Sequence, residues 1–255
     1  MKTLLIDAGN TRLKWATLRG GRTGRSRAID WNARNVVAAA RTVLRTPCER
    51  VLVCSVAGAA LERALRRAAR VTGKSAPQFV RSTRRAAGVR NGYLQTWRLG
   101  ADRWVAMLGA RALYPGRALC VVDVGTALTL DLLDAQGRHR GGLLVPGPTL
   151  MVDSLLNETA GIRARAGARS RINGRAAARF GRSTRAGLLA GSAMACAALI
   201  ERALREARSE LRGRPRLLLA GGGAAQVAPL LTVAHVGADD LVLQGLALLA
   251  ALESR

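Results

Sequence analysis

The chain has 255 residues, 49% hydrophobic and 3% aromatic, with a formal net charge of +25. That apolar share excludes a disordered chain, and the length allows one large domain or two small ones with cores of Leu, Val and Ala. So basic a chain raises nucleic acid as a partner, but only Lys2, Lys14 and Lys74 of the 41 basic residues are lysines. With Ala, Gly and Leu so abundant, the arginine reads as the codon bias of a GC-rich genome, and nucleic acid is not the favoured partner. Cys48, Cys54, Cys120 and Cys196 show no CxxC spacing, and His139 and His235 are the only histidines. This argues against a zinc site and suits a reducing, cytoplasmic location.

In chain order, the apolar run Leu4–Ile6 ends at Asp7 and is too short for a signal peptide. Strands are predicted over 3–7 and 12–18, and a third over 24–29 after Gly20-Gly21. Asn32 is a candidate cap for a helix over 34–45. Val51–Ser55 reads as a buried strand, 58–70 as an amphipathic helix with Leu61, Ala64, Leu65 and Ala68 on one face, and 78–80 as a short strand. Residues 81–99 are polar and irregular and contain Asn91-Gly92-Tyr93. A helix then runs from Asp102 to Tyr114, where Pro115-Gly116 stops it. A boundary there gives domains 1–116 and 117–255.

The second half restarts the first: strand 118–123, a turn at Gly125, strand 127–133, and a third strand from Gly137 to Leu144. Pro146-Gly147-Pro148 precedes a helix through Leu155. The arginine-rich stretch 162–185 reads as a mobile basic loop. A long helix over 186–211 follows, then strand 216–220, a turn at Gly221–Gly223, a helix, and a last helix from Asp239 or Asp240 to Leu252. The uncharged stretch 217–234 has the length of a membrane span. Its three glycines, Gln226 and Pro229 fit a strand, turn and helix better, so no membrane partner is expected.

An Asp-x-Gly turn between two strands occurs twice, at Asp7-Ala8-Gly9 and Asp123-Val124-Gly125. Glycine lets backbone approach a phosphate, successive amides can cradle its oxygens, and a carboxylate can hold Mg²⁺ directly or through water. Lys14 falls on the returning strand, within reach of a β- or γ-phosphate. Asp102, between the two turns, reads either as an acid favoured at a helix start or as a general base. Competing signatures fail. Gly73-Lys74-Ser75 resembles the end of a Walker A loop, but Ala68 stands where its first glycine is required. No GxGxxG opens a helix, and no GxSxG elbow exists.

DAGNTRLK (7–14), NGY (91–93), LGADRW (99–104), VDVGTALTLD (122–131), GGLLVPG (141–147) and GRSTRAGLLAG (181–191), in this order, resemble the type III pantothenate kinases. The resemblance covers residues 7–223. It implies an α/β fold of two actin-like (ribonuclease H-like) domains with mixed sheets and an interdomain nucleotide cleft, assembled as a homodimer. It implies ATP-dependent phosphorylation of pantothenate to 4'-phosphopantothenate, the first step of coenzyme A biosynthesis. Asp7, Ala8, Gly9, Asn10, Thr11, Arg12, Leu13, Lys14 and Thr126 would contact ATP, and Asp7 would hold Mg²⁺. Asp102 would be the base. Tyr93, Gly100, Ala101, Asp102, Arg103 and Thr184 would hold pantothenate, and Asp123 a monovalent cation, K⁺ or NH₄⁺. The glycine turn departs from the pattern: it reads AGGGAA, with no acidic residue close behind. Two other readings stay open, a regulator using the same fold and a basic surface, and an actin-like kinase for another small acceptor.

Overall fold

A computed structural model describes residues 1–166, 180–211 and 213–253. In chain order the first elements are β1 (Lys2–Ala8), β2 (Arg12–Arg19), β3 (Arg22–Thr23), β4 (Arg27–Asp30), α1 (Val36–Leu44), β5 (Arg50–Ser55), α2 (Gly58–Val71), β6 (Gln78–Val80), β7 (Arg85–Ala86), β8 (Val89–Arg90) and α3 (Ala101–Leu113). They are followed by β9 (Leu119–Val124), β10 (Ala127–Leu133), β11 (His139–Pro146), α4 (Pro148–Glu158), α5 (Ala160–Ala166), α6 (Thr184–Glu210), β12 (Arg216–Ala220), α7 (Ala224–Val227), β13 (His235–Gly237) and α8 (Leu241–Leu252). The chain divides into two compact units: Met1–Gly116 with Gln136–His139 and Asp240–Arg255, and Arg117–Ala135 with Arg140–Asp239.

In the first unit the strand order is β3-β2-β1-β5-β6, with β4 also paired to β2. β1 and β2 are antiparallel, while β1, β5 and β6 run parallel, so the sheet is mixed. The period-2 alternation of strands sorts the side chains. Leu4, Ile6, Ala8, Leu13, Trp15, Val51 and Val53 join one core with Ala39, Val43 and Leu44 of α1 and Leu61 and Leu65 of α2. The opposite face carries Leu5, Asp7, Lys14 and Cys54 and is met by α3 and α8. α3 and α8 touch backbone to backbone. A Cβ on Gly109 would overlap the Leu241 carbonyl and lie 2.9 Å from Gly245 N, and one on Gly245 would overlap the Val105 carbonyl. This contact puts α8 in the first unit, whereas the expected division at residue 117 leaves it in the second.

In the second unit the order β11-β10-β9-β12-β13 has the same form: an antiparallel meander continued by two parallel strands. Cys120, Val122, Val124, Leu128, Leu130, Leu217 and Leu219 pack with Cys196, Ala197, Ile200, Ala203 and Leu204 of α6. Among the described residues, α6 is the one helix long and apolar enough to cross a membrane. Its buried positions recur at helical spacing from Ala190 to Ala207, as on a core helix lying against a sheet.

Some local expectations change. The third strand expected over 24–29 is shortened to β4 (Arg27–Asp30), preceded by the two-residue β3, and Gly24 N–H between them bonds back to Thr17 O at 2.8 Å. Asn32 does not cap α1. Asn35 occupies the cap position, and Asn32 forms the preceding turn by accepting from Asn35 N–H at 3.2 Å. Within the stretch expected as a mobile basic loop, α5 runs to Ala166 and α6 starts at Thr184; residues 167–179 lie outside the described residues.

Candidate active site

The first Asp-x-Gly turn is a hairpin closed by Gly9 N–H to Arg12 O at 3.0 Å. The pairing puts Asp7 directly opposite Lys14, so both side chains share the face met by α3 and α8. Trp31 clamps this turn twice. Its indole Nε1–H donates to Gly9 O at 2.8 Å, and its backbone N–H donates to Thr11 O at 2.9 Å. Since a trans peptide points C=O and N–H in opposite directions, the Gly9 carbonyl held by Trp31 turns Asn10 N–H the other way. Lys14 Nζ lies 3.4 Å from Asp240 Oδ1, with both side chains about three-quarters buried (27% and 23% exposed).

Asp102 stands in the first turn of α3, whose cap position is Gly100, without a side-chain cap bond. Its Oδ1 accepts from Arg103 N–H at 2.8 Å. A Cβ on Gly100 would lie 2.6 Å from that oxygen, so glycine there makes room for the carboxylate. Cys54 stands on β5, against which α3 packs. Its thiol is held well above its ordinary value, first by burial, then by the negative charges of Asp7 and Asp102. In the sheet register Cys54 sits beside Asp7.

Arg103 is buried, and its Nη1–H donates to Tyr93 Oη at 3.0 Å. The Tyr93 ring stacks on His139, with centroids 5.8 Å apart and planes 13° apart. Buried Asn91 fastens the turn before Tyr93. It accepts from Tyr93 N–H at 2.9 Å and donates to Thr83 O and Thr96 O, each at 3.3 Å. Gly92 is required because a Cβ there would overlap the His139 carbonyl. Tyr93, Gly100, Ala101, Asp102 and Arg103 therefore assemble within the first unit.

In the second unit the second Asp-x-Gly turn closes on itself and is met by two further glycine stretches. Gly125 N–H bonds Ala127 O at 3.0 Å, Gly147 N–H bonds Thr126 O at 2.8 Å, and Gly223 N–H bonds Val124 O at 2.8 Å. Gly221 has φ +94°, and a Cβ there would overlap the Asp123 carboxylate and lie 2.5 Å from Val124 O. Thr184 is the first residue of α6, behind Ser183, whose Oγ accepts from Ala186 N–H at 3.2 Å. The expected ATP and pantothenate sets are thus split, with Thr126 and Thr184 in the second unit and the rest in the first.

Sequence reasoning missed Trp31, His139 and Asp240. Trp31 follows a strand whose pairing with β2 cannot be read from pattern, and as one of two scattered histidines His139 gives no sign of a stacking partner. Of the two expected helix starts, Asp239 and Asp240, the second is the cap, and neither its φ of +63° nor its contact with Lys14 can be told from the sequence.

The sequence pattern of the family described as type III pantothenate kinase matches residues 3–206. The chain belongs to the type III pantothenate kinase family. Named members include proteins of Aromatoleum aromaticum, 41% identical with 97% of each chain covered, and of Herminiimonas arsenicoxydans, 37% identical with 95% of each covered. A pantothenate kinase of this family transfers phosphate from ATP to pantothenate in coenzyme A biosynthesis. Two solved structures show the fold. A putative Baf family transcriptional activator from Campylobacter jejuni matches at TM-score 0.60 and 16% identity, covering 99% of this chain and 100% of that one. A ROK family glucokinase from Streptomyces griseus, in complex with glucose and AMPPNP, matches at 0.51 and 13%, covering 99% and 100%. The fold is that of the actin-like ATPases and sugar kinases, α/β with mixed sheets.

The kinase's carboxylates fit Mg²⁺ that arrives with nucleotide. Among the described residues no three His, Cys, Asp or Glu side chains gather into a metal cage. Mg²⁺ keeps several waters and takes one or two carboxylates plus phosphate oxygens, which the single Asp7 carboxylate beside the turn can satisfy.

Proposed function

We propose that Asp102 is the general base of this pantothenate kinase. The observation that supports the proposal is that Asp102 stands in the first turn of α3, the helix packed on β5, the strand paired with the one that carries Asp7. Asp102 accepts the proton of the pantothenate hydroxyl as that oxygen attacks the γ-phosphorus. The bond from phosphorus to the β,γ-bridging oxygen breaks, and ADP leaves with the electron pair. The backbone of Gly9, Asn10 and Thr11 and the Lys14 ammonium hold the phosphates, with Ala8, Arg12 and Leu13 framing the turn and Thr126 contributing from the second one. Mg²⁺ held at Asp7 supplies charge neutralisation when bound. Phosphoryl transfer rests chiefly on such positioning and neutralisation, with a base adding about 10²–10⁴-fold.

Tyr93, Gly100, Ala101, Arg103 and Thr184 hold pantothenate. The buried Arg103 guanidinium, oriented by Tyr93 Oη, suits a carboxylate because its planar fork can donate two parallel bonds. Asp123 holds the monovalent cation, K⁺ or NH₄⁺; the carboxylate beside Gly221 and the Val124 carbonyl offers the oxygen ligands such an ion takes. The protein works as a homodimer. β11 is a sheet edge with Leu143 and Leu144 exposed, and α4 exposes Leu150 and Leu155; an open edge and exposed apolar side chains are features that a partner subunit can cover. Free thiols at all four cysteines agree with a cytoplasmic location.

The test is ADP release from ATP with Mg²⁺ and K⁺, with and without pantothenate, for the wild type and Asp102→Asn. Pantothenate-dependent turnover that falls about 10²-fold or more in a folded variant supports the assignment. An unchanged rate removes Asp102 from the mechanism.

A further inference from the structure

We infer that Asp240 is a positioning residue that holds Lys14 in line for phosphate transfer; the inference rests on the phosphate role proposed for Lys14. Asp240 has φ +63° and ψ 25°, the left-handed region, which Asp and Asn enter more readily than other side chains but at a cost that glycine avoids. It occupies the cap position of α8, yet its side chain makes no cap bond. Its Oδ1 instead meets Lys14 Nζ at 3.4 Å, from a residue 226 positions away in the chain.

The position of Asp240 does not depend on that contact. The next residue, Leu241, has its carbonyl packed where a Cβ on Gly109 of α3 would be, and Gly245 is seated against Val105 of the same helix. α3 also carries Asp102 and Arg103 in its first turn. One rigid backbone contact therefore sets the register of the α8 start against the helix that bears the candidate base. Asp240 passes that register to Lys14, which stands opposite Asp7 on β2. A lysine ammonium has three donors. One can stay on Asp240 while the others meet phosphate oxygens, so the long, flexible stem is held at the place where charge develops.

A positioning carboxylate and a merely structural residue give different signatures. Asp240 adds negative charge near an anionic ligand, so its loss does not weaken ground-state attraction for ATP. What is lost is the alignment of Lys14 in the transition state, and misplacement of this kind lowers turnover. Asp240→Gly is the decisive variant, because glycine takes φ +63° without strain and keeps the turn. The expected result is thermal stability equal to or above wild type, an ATP dissociation constant within about twofold of wild type or tighter, and kcat lower by about tenfold or more. Asp240→Asn, which accepts the left-handed conformation and can still accept one bond from Lys14, should recover part of the loss.

A second readout does not need turnover. With only Lys2, Lys14 and Lys74 present, ¹³Cε-lysine labelling gives three side-chain signals, and Lys14→Arg assigns one. The Lys14 signal should move on ATP addition in the wild type. In Asp240→Gly it should sit closer to the other two and respond less. An unchanged Lys14 signal together with wild-type kcat overturns the inference, and so does tighter ATP binding with unchanged kcat. Wild-type enzyme without pantothenate-dependent turnover counts against the proposed function, while the Lys14 signals in the two proteins still decide whether Asp240 holds the lysine.

Discussion

Trp31→Phe should loosen the phosphate turn without unfolding the protein. The substitution removes one donor, the indole Nε1–H at 2.8 Å from Gly9 O, and keeps the backbone bond from Trp31 N–H to Thr11 O. A net hydrogen bond is worth about 0.5–1.5 kcal/mol, and a carbonyl left buried without a donor costs about 1–3 kcal/mol. Trp31 is half-buried against the core of the first unit, and phenylalanine retains most of that contact. The expected loss of stability is therefore about 1 kcal/mol. The same energy bears on the orientation of the Gly9–Asn10 peptide, so ATP binding should weaken by about fivefold, since about 1.4 kcal/mol is a tenfold change. Urea unfolding gives the first quantity, and the ATP KM at saturating pantothenate the second. Asp30→Ala is the control. It deletes an ion pair to Arg12 at 3.5 Å whose side chains are 52% and 76% exposed, and such pairs contribute little. Wild-type ATP binding in Trp31→Phe, with stability lowered or not, would refute the view that this indole orients the turn.

Gly221→Ala should destabilise the second unit by about 2–4 kcal/mol, because φ +94° is strained for alanine and its Cβ collides with Asp123 and Val124. Thermal unfolding of this variant indistinguishable from wild type would show that the glycine turn is not packed against that strand end. The thiols give a pH prediction. Burial raises Cys196 to about 11 and Cys120 to about 12, above the ordinary 9.0. A raised value in the fold means the proton is held more tightly there than in the unfolded chain. Stability is then complete below pH 9 and declines as pH rises toward 11 and 12. Urea midpoints that stay level from pH 8 to roughly 10.5 would oppose this, as would rapid alkylation of Cys54, Cys120 or Cys196 in the native protein at pH 8.

Much of the framework was legible because local pattern and tertiary role agree in it. β5, α2, β6, β10 and β12 combine clear periodicity with turn residues at their ends, and they occur within a residue of their expected spans. The Asp-x-Gly turns were legible for the same reason, since Gly9 and Gly125 punctuate alternating apolar strands. What could not be read depends on contacts distant in sequence. The place of α8 follows from Gly109 and Gly245, whose use as a backbone crossing needs both helices in view. The double clamp by Trp31 requires the β2–β4 register, and β4 is too short to show a period. The stack of His139 on Tyr93 joins residues 46 positions apart across the first unit.

The two halves repeat one topology but differ at the position facing the turn aspartate. In the first, Lys14 stands opposite Asp7; in the second, Thr129 stands opposite Asp123. The second turn is also one residue shorter, closing from Gly125 to Ala127 where the first closes from Gly9 to Arg12. A carboxylate facing an ammonium is suited to phosphate held by fixed charge. A carboxylate facing a neutral hydroxyl is suited to an added cation, which would then supply the charge proposed for Lys14 in the first copy. If, as proposed, Asp123 holds a monovalent cation that plays this part, Thr129→Lys should build that charge into the protein. Thr129 is half-buried on the Asp123 face, so a lysine stem can lie along the sheet and bring its ammonium to the carboxylate. Activity should then lose most of its dependence on K⁺ while Mg²⁺ dependence stays, read as turnover with K⁺ replaced by a large organic cation at equal ionic strength. A folded Thr129→Lys enzyme whose response to K⁺ matches that of the wild type would count against a monovalent cation at Asp123.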